Sequence, residues 1–304
     1  MDDISFGRKI SVVVRTLNEE TYLTQLLKAV QSQDVVDLDI DIVVIDSGST
    51  DCTLKIAENS NCRITSIEKS RFTFGRSLNE GCEFASGDVF VFVSGHCVPA
   101  DSNWLANLVN PIFDRAADYT YGRQLGRYPT KFSENEIFKK YYPDTSVVPQ
   151  DGFFVNNANA AISKEVWAKL KFDEELTGLE DMDLAKRLQA SGGKVGYCAN
   201  ASVFHIHDET WKQTQRRYER ESYALQSIMP EVHVTAWDML RYIAVGIFRD
   251  AVSAWRKGVF LREITGIILF RTAQFSGAYK GNHLHREVSR QKKEAYFYPK
   301  PSDG

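Results

Sequence analysis

The sequence is poor in the features that would place it in several large classes. Its 304 residues hold only five cysteines, Cys52, Cys62, Cys82, Cys97 and Cys198. They are odd in number, scattered and without a Cys-x-x-Cys pair, which argues against a disulfide framework and a zinc knuckle and makes reducing cytoplasm the expected setting. Positive charge is not in excess either: 37 Lys and Arg against 40 Asp and Glu leave a formal net charge of −3, too little cationic field for a nucleic-acid partner. No uninterrupted apolar run approaches the roughly 18 residues that span a bilayer. The opening Met1-Asp2-Asp3 lacks the basic-then-apolar text of a secretory leader. There is no internal repeat and no low-complexity tract. With 43% hydrophobic and 12% aromatic residues, what remains is a chain with enough core for one large α/β domain plus an appendage, soluble or peripheral on a membrane.

From Lys9 to Ser94 the text alternates β-like apolar runs with amphipathic stretches. Ile10 to Val14, Ile40 to Ile45, Cys62 to Ile67 and Val89 to Val93 read as strands; Glu19 to Gln33, Thr50 to Glu58 and Arg76 to Ala85 read as helices. This β-α-β order predicts a Rossmann-like, mostly parallel sheet flanked by helices, with right-handed crossovers. Tyr119 to Gly152 reads as loops and a hairpin, Ser163 to Leu170 and Leu179 to Ala190 as helices, Lys194 to Cys198 and Ser202 to His205 as two short strands. Everything after Asp208 reads as helix. The expected division is a catalytic domain over 1–207 and a helical C-terminal extension over 208–304.

In such sheets ligands sit beyond the carboxyl ends of the strands, and polar clusters fall there: Arg15-Thr16-Leu17-Asn18-Glu19, Asp46-Ser47-Gly48-Ser49-Thr50-Asp51 and Ser94-Gly95-His96. The second cluster can cap a helix through Ser49 or Thr50 and turn free amides to an anion or ribose, and it is equally an ordinary capped turn. His96 at a strand end suits a divalent metal. A second candidate ligand is His205 or His207, which on a strand share a face while Ile206 points away, so that one could ligate while the other packs or binds phosphate. Glu180, Asp181 and Asp183 open a helix whose dipole favours negative charge. Leu184 and Leu188 would bury one face and Asp183 can pair with Arg187, so Glu180 and Asp181 are left with no obvious structural need, and a carboxylate there can be a general base. Asn156, Asn157 and Asn159 are candidate hydrogen-bonding groups for a ligand's hydroxyls, or simply turn residues.

Taken together, the text Val-Val-Val-Arg-Thr-Leu-Asn-Glu-Glu at the first strand, Asp46-Ser-Gly-Ser-Thr-Asp51, Asn79-x-Gly81 with Ala85-x-Gly87, and Gly178-Leu-Glu-Asp181 resembles the family 2 glycosyltransferases of the glycosyltransferase A fold, over roughly Lys9 to His207. The resemblance implies that Thr16, Asn18, Glu19 and Asp46 serve the nucleoside and that Asp181, beside Glu180, is the base. Arg76, Asn79 and Ser94 are the further donor-side expectations, with Arg76 or Arg217 assisting the diphosphate. Where the family usually has Asp-x-Asp, this chain has Ser94-Gly95-His96. With Cys97 and Trp104-Leu105, that text is similar to the Asp-x-His-Cys and Trp-Leu of polypeptide N-acetylgalactosaminyltransferases. Through that likeness His205 matches a second metal ligand.

The implied activity is inverting transfer of a sugar from a nucleotide-diphosphate donor, a UDP-sugar slightly favoured, to a hydroxyl of a saccharide or lipid-linked glycan, in bacterial surface polysaccharide synthesis. The implied cofactor is a divalent metal, Mn2+ ahead of Mg2+. A sugar nucleotidyltransferase would carry a Gly-rich basic first loop, which Arg15 to Glu19 is not. A catalytically silent glycan-binding or scaffold protein is the other alternative, made conceivable by Ser94. The stretch Trp237 to Trp255, with Leu240, Ile243, Ile247 and Ala251 at helical spacing and Arg241, Arg249 and Arg256 toward another side, is expected to lie on the inner face of the cell membrane, or else to be a helix packed on the catalytic domain or at a homodimer interface. The tail with Arg286, Arg290, Lys292 and Lys293 adds positive charge.

Overall fold

The structure is a computed structural model that describes residues 8–35, 38–284 and 296–297; Arg286, Arg290, Lys292 and Lys293 lie outside the described residues. The chain divides into two compact units. One lies within Met1–Leu125, Tyr142–Glu174 and Glu180–His205, the other within Gly126–Tyr141, Glu175–Leu179 and Ile206–Gly304.

The first unit is built on an eight-stranded sheet. Its parallel half is β1 (Arg8–Thr16), β2 (Leu38–Asp46), β3 (Arg63–Ser66) and β4 (Val89–Ser94), ordered β3-β2-β1-β4. Between them run α1 (Glu20–Gln31), α2 (Thr53–Glu58) and α3 (Phe74–Phe84). Ile10, Val12, Val13 and Val14 are fully buried, as a strand covered on both faces requires, which is why β1 reads as an unbroken apolar run. Leu23, Leu26, Leu27 and Val30 recur at helical spacing and are the buried face of α1. Gly87, in the Ala85-x-Gly87 text, brings the chain so near β1 that a Cβ would come 2.5 Å from the Ser11 amide nitrogen.

The second half of the sheet is antiparallel where its register is defined, so the whole is mixed. It adds β5 (Cys97–Pro99), β6 (Tyr119–Gly126), β7 (Asn159–Ser163) and β8 (Val195–His205), completing the order β4-β7-β6-β8-β5. Helices α4 (Trp104–Phe113), α6 (Lys164–Leu170) and α7 (Glu180–Ala190) accompany it. Two expectations change here. Lys194 to Cys198 and Ser202 to His205 are one strand: exposed Asn200 reads as a break, but buried Ala199 and Ala201 on either side hold the chain extended. Tyr119 to Gly152, read as loops and a hairpin, contains β6 and a helix, α5 (Phe132–Tyr141). The buried residues of α5 are Ser133, Glu134 and Phe138, so no apolar period marks it.

The second unit joins α5 to α8 (Trp211–Ile228), α9 (Ala236–Arg256) and α10 (Phe260–Asn282). Capping boxes at Thr210 with Gln213 and at Thr235 with Asp238 start α8 and α9. Asp250 on α9 holds Arg271 on α10 by two hydrogen bonds, 2.7 and 2.8 Å. Both partners are buried, a geometry in which two charges compensate each other's desolvation.

Candidate active site

The register that aligns Thr16 with Asp46 and Arg15 with Ser94 sets the ends of β1, β2 and β4 side by side, and their three loops meet. The loop after β2 is folded around its own aspartate. Asp46, 1% exposed, accepts from the Gly48 and Ser49 amides at 2.8 Å each and from the Thr16 hydroxyl at 3.1 Å. The Thr50 amide donates to Asn18 Oδ1 at 2.8 Å. The amides expected to face a ligand are therefore spent within the two loops. Nor do Ser49 and Thr50 cap α2: Asp51 accepts from the Thr53 amide at 2.9 Å, while the Ser49 hydroxyl accepts from the Asn18 amide at 2.8 Å. Thr16 and Asp46 are buried beneath the two loops, and Asn18, at a φ of 57°, is exposed.

Beyond β4 stands a pair of imidazoles. His96 Nε2 and His205 Nε2 are 3.2 Å apart, their rings stacked at 21° with centroids 5.1 Å apart. The outer nitrogens are both held: His96 Nδ1 lies 2.8 Å from Glu19 Oε1, and His205 Nδ1 lies 2.6 Å from Gln124 Oε1. A backbone group fixes the proton positions. The Ala158 amide donates to Asn156 Oδ1, which also accepts from Gln124 Nε2 at 3.1 Å. Gln124 must then turn its oxygen to His205, so His205 Nδ1 donates; Glu19 likewise accepts from His96 Nδ1. In the neutral rings both Nε2 atoms then carry lone pairs, 3.2 Å apart. A proton or a metal ion shared between the two nitrogens would complete the pair, and His96 and His205 would be the protein ligands of a divalent cation there. Oxygens orienting the far nitrogens of metal-binding imidazoles are the usual outer layer of such a site. Gly95 makes room for Glu19, whose Cγ would lie 2.6 Å from a Cβ there.

The third element is the acid pair at the start of α7. Asp181, 7% exposed, accepts from the Asn157 amide at 2.9 Å and from its neighbour Met182's amide at 2.8 Å. Burial, reinforced by the adjacent Glu180 charge, pushes its carboxyl up to about 7. Glu180 is 3.6 Å from Arg15 Nη1. Among the described residues Arg15 Nη1 and Asn157 Nδ2 are buried donors that form no hydrogen bond, suited to a ligand oxygen. Asp183 pairs with Arg187 at 2.8 Å, and Leu184 and Leu188 are buried, as expected.

Other predicted site residues have prior commitments. Asn159, fully buried, accepts from Trp104 Nε1 at 2.9 Å and donates to the Arg123 and Ala201 carbonyls at 3.1 and 2.8 Å, which leaves no donor for a sugar. Asn79 joins α3 to the Phe172 backbone, Trp167 and Glu174 by four hydrogen bonds of 2.9 to 3.1 Å. Arg76 is paired with Glu174 at 2.7 Å. Arg217 lies in the second unit, bound to Glu134 and Glu209. Ser94 is half-buried at the end of β4, its amide donating to the Ala158 carbonyl at 3.4 Å. Sequence reasoning missed Gln124; a glutamine in a β-like stretch carries no signal until its partner is known.

Residues 11–170 match the family described as glycosyl transferase family 2. The chain is similar to the O-antigen chain rhamnosyltransferase RfbN of Salmonella typhimurium, 29% identical over 222 residues, 69% of this chain and 70% of that one. It is also similar to the poly(ribitol-phosphate) beta-N-acetylglucosaminyltransferase TarS of Staphylococcus aureus, 35% identical over 263 residues, 84% of this chain but only 43% of TarS. Among solved structures, the mannosyltransferase PcManGT of Pyrobaculum calidifontis in complex with GDP-Man and Mn2+ has the same fold, with a TM-score of 0.60 at 16% identity over 98% of this chain and 89% of that one.

Proposed function

The chain belongs to glycosyl transferase family 2, and on that premise we propose that Asp181 is the base of an inverting transfer from a nucleotide-diphosphate sugar to a hydroxyl of a saccharide or lipid-linked glycan. The observation that carries this reading is the carboxyl of Asp181, buried, oriented by two backbone amides and raised to about 7, close to the pH at which a general base is most effective. Asp181 takes the proton of the acceptor hydroxyl as that oxygen bonds to the anomeric carbon. The carbon–oxygen bond to the diphosphate breaks, and its electron pair leaves with the nucleotide. Arg15 balances Glu180, and the Arg15 Nη1 and Asn157 Nδ2 donors are suited to sugar or phosphate oxygens.

His96 and His205 would hold a divalent cation, which when bound supplies positive charge to the departing diphosphate. Imidazole suits Mn2+ better than Mg2+. Glu19 and Gln124 keep the two rings in the ligating tautomer. Asn18 and Glu19 border the nucleoside side of the crevice, with Thr16 and Asp46 buried beneath its loops. The likeness to the polypeptide N-acetylgalactosaminyltransferases favours a UDP-sugar. RfbN and TarS act in O-antigen and poly(ribitol-phosphate) glycosylation by their names, which supports a bacterial surface polysaccharide as the product. Five free cysteines fit a cytoplasmic setting, and the C-terminal helices are the proposed attachment to a membrane surface or a second copy. Among the described residues no helix is long and apolar enough to cross a membrane.

The test is nucleotide release from a panel of sugar nucleotides, with and without glycan acceptors, followed by assignment of the product anomer. Acceptor-dependent release with inversion is expected. Donor binding without release under any condition would favour a silent glycan-binding protein.

A further inference from the structure

Helix α9 carries an outward stripe that its own unit does not cover. Trp237, Phe248 and Trp255 are 72%, 68% and 73% exposed. Their spacing of 11 and then 7 residues (248 − 237 and 255 − 248) returns each to nearly the same side of a 3.6-residue turn. Leu240 lies beside them, and exposed Leu261 continues the apolar surface at the start of α10. Arg241, Arg249 and Arg256 border the stripe on one flank, all exposed. Arg241 is paired with Asp238 on that flank at 3.3 Å; among the described residues neither Arg249 nor Arg256 forms an ion pair, and the carboxylate Asp250 is buried against Arg271. On the same flank, a groove of about 830 Å³ between α5, α9 and α10 is lined by Lys140, Arg241, Arg249 and Arg271 together with the carboxylates Glu136 and Asp250.

We propose that α9 lies on the surface of an anionic lipid bilayer, with Trp237, Phe248 and Trp255 in the headgroup–acyl boundary and Arg249 and Arg256 against lipid phosphates. The chemistry of the stripe selects this occupant. Tryptophan with flanking arginine is the composition of interfacial helices, whose apolar face enters the headgroup region while cations meet anionic lipid. At 21 residues the helix is about 30 Å long and lies in the surface plane. This surface is independent of the active-site reading, because none of its residues belongs to the imidazole pair or the acid pair.

The test is flotation of the full chain with vesicles of phosphatidylcholine alone or mixed with phosphatidylglycerol, read together with tryptophan quenching by brominated lipid. Binding to the anionic vesicles at low salt, weakened by added salt, with quenching, is expected. W237S/F248S/W255S is expected to lose binding at least tenfold, and R249Q/R256Q roughly fivefold per arginine. The variants alter exposed positions, so thermal unfolding and donor binding are expected to be unchanged; that readout separates failure of this surface from failure of the active-site reading. Lack of flotation at low salt, or equal flotation of wild type and both variants, would overturn the proposal. So would a concentration-dependent dimer abolished by F248S, which would give the stripe to a second copy.

Discussion

His96 Nε2 and His205 Nε2 face each other at 3.2 Å, each ring fixed from behind by an oxygen, Glu19 Oε1 or Gln124 Oε1. A pair so arranged suits a shared divalent cation. Mn2+ titration in the presence of nucleoside diphosphate is expected to show binding that H96A and H205A each weaken by about 100-fold or more, since each removes one of two protein ligands. Mn2+ is expected to bind more tightly than Mg2+ at equal concentration. Wild-type affinity in both variants would remove the metal from this place.

Gln124 gives a finer test. Gln124→Leu keeps the volume but removes the acceptor that orients His205, and is expected to weaken Mn2+ binding by about 10- to 100-fold. Gln124→Glu keeps an acceptor for His205 Nδ1 and is expected to recover most of that loss. Equal Mn2+ affinity in Gln124→Leu and wild type would show that His205 needs no such support.

The contrast between Gln124 and Asp181 shows how much of the site was readable in advance. Asp181 opens a helix just after a loop, in a run of acids that capping and i,i+4 pairing do not exhaust, so local periodicity leaves it and Glu180 as candidates, and the family resemblance picks Asp181. The strands β1, β2 and β4 were legible for a similar reason, since their Val-rich runs are long and their polar ends abrupt. Gln124 depends on β6 pairing in a sheet with β7 and β8, contacts remote in sequence. The same is true of Asn79 and Asn159, whose side chains are spent on partners that no local pattern names. Helix α5 was hidden because it buries Glu134 through a charge cluster rather than an apolar stripe.

Asn79, bonded to Trp167, the Phe172 backbone and Glu174, acts in our reading as a structural tie. Asn79→Ala is expected to cost about 1–3 kcal/mol for the buried partners left unpaired, seen as a lower Tm, with the donor Kd nearly unchanged. A large loss of donor affinity in a variant of normal Tm would return Asn79 to the donor site.

In the second unit Glu134 is buried between His207 and Arg217. Burial alone would raise its carboxyl, but the opposing charges and hydrogen bonds of Arg217 and His207 outweigh that and hold it at about 2, below the ordinary 4.5. A carboxyl lowered on folding contributes stability above its unfolded value and loses it as pH falls from about 4.5 toward 2. Glu134→Ala, which strands Arg217, is expected to cost about 3–5 kcal/mol at neutral pH, and Glu134→Gln to flatten the acid limb of the denaturation midpoint. An unchanged acid limb would mean that the cluster does not set acid stability.

The most direct measurement is the pH–rate profile of transfer at saturating donor and acceptor, for the wild type and Asp181→Asn. A base raised to about 7 by burial and Glu180 is protonated and idle below that pH, so the wild-type rate is expected to climb through pH 7 to a plateau. Asp181→Asn keeps the size and an acceptor oxygen but cannot take the proton. Its kcat is expected to fall by about 10²- to 10⁴-fold with the donor Kd preserved and the climb through pH 7 gone. Retention of most of the wild-type rate and of its pH profile in Asp181→Asn would contradict the assignment and make Glu180 the first alternative.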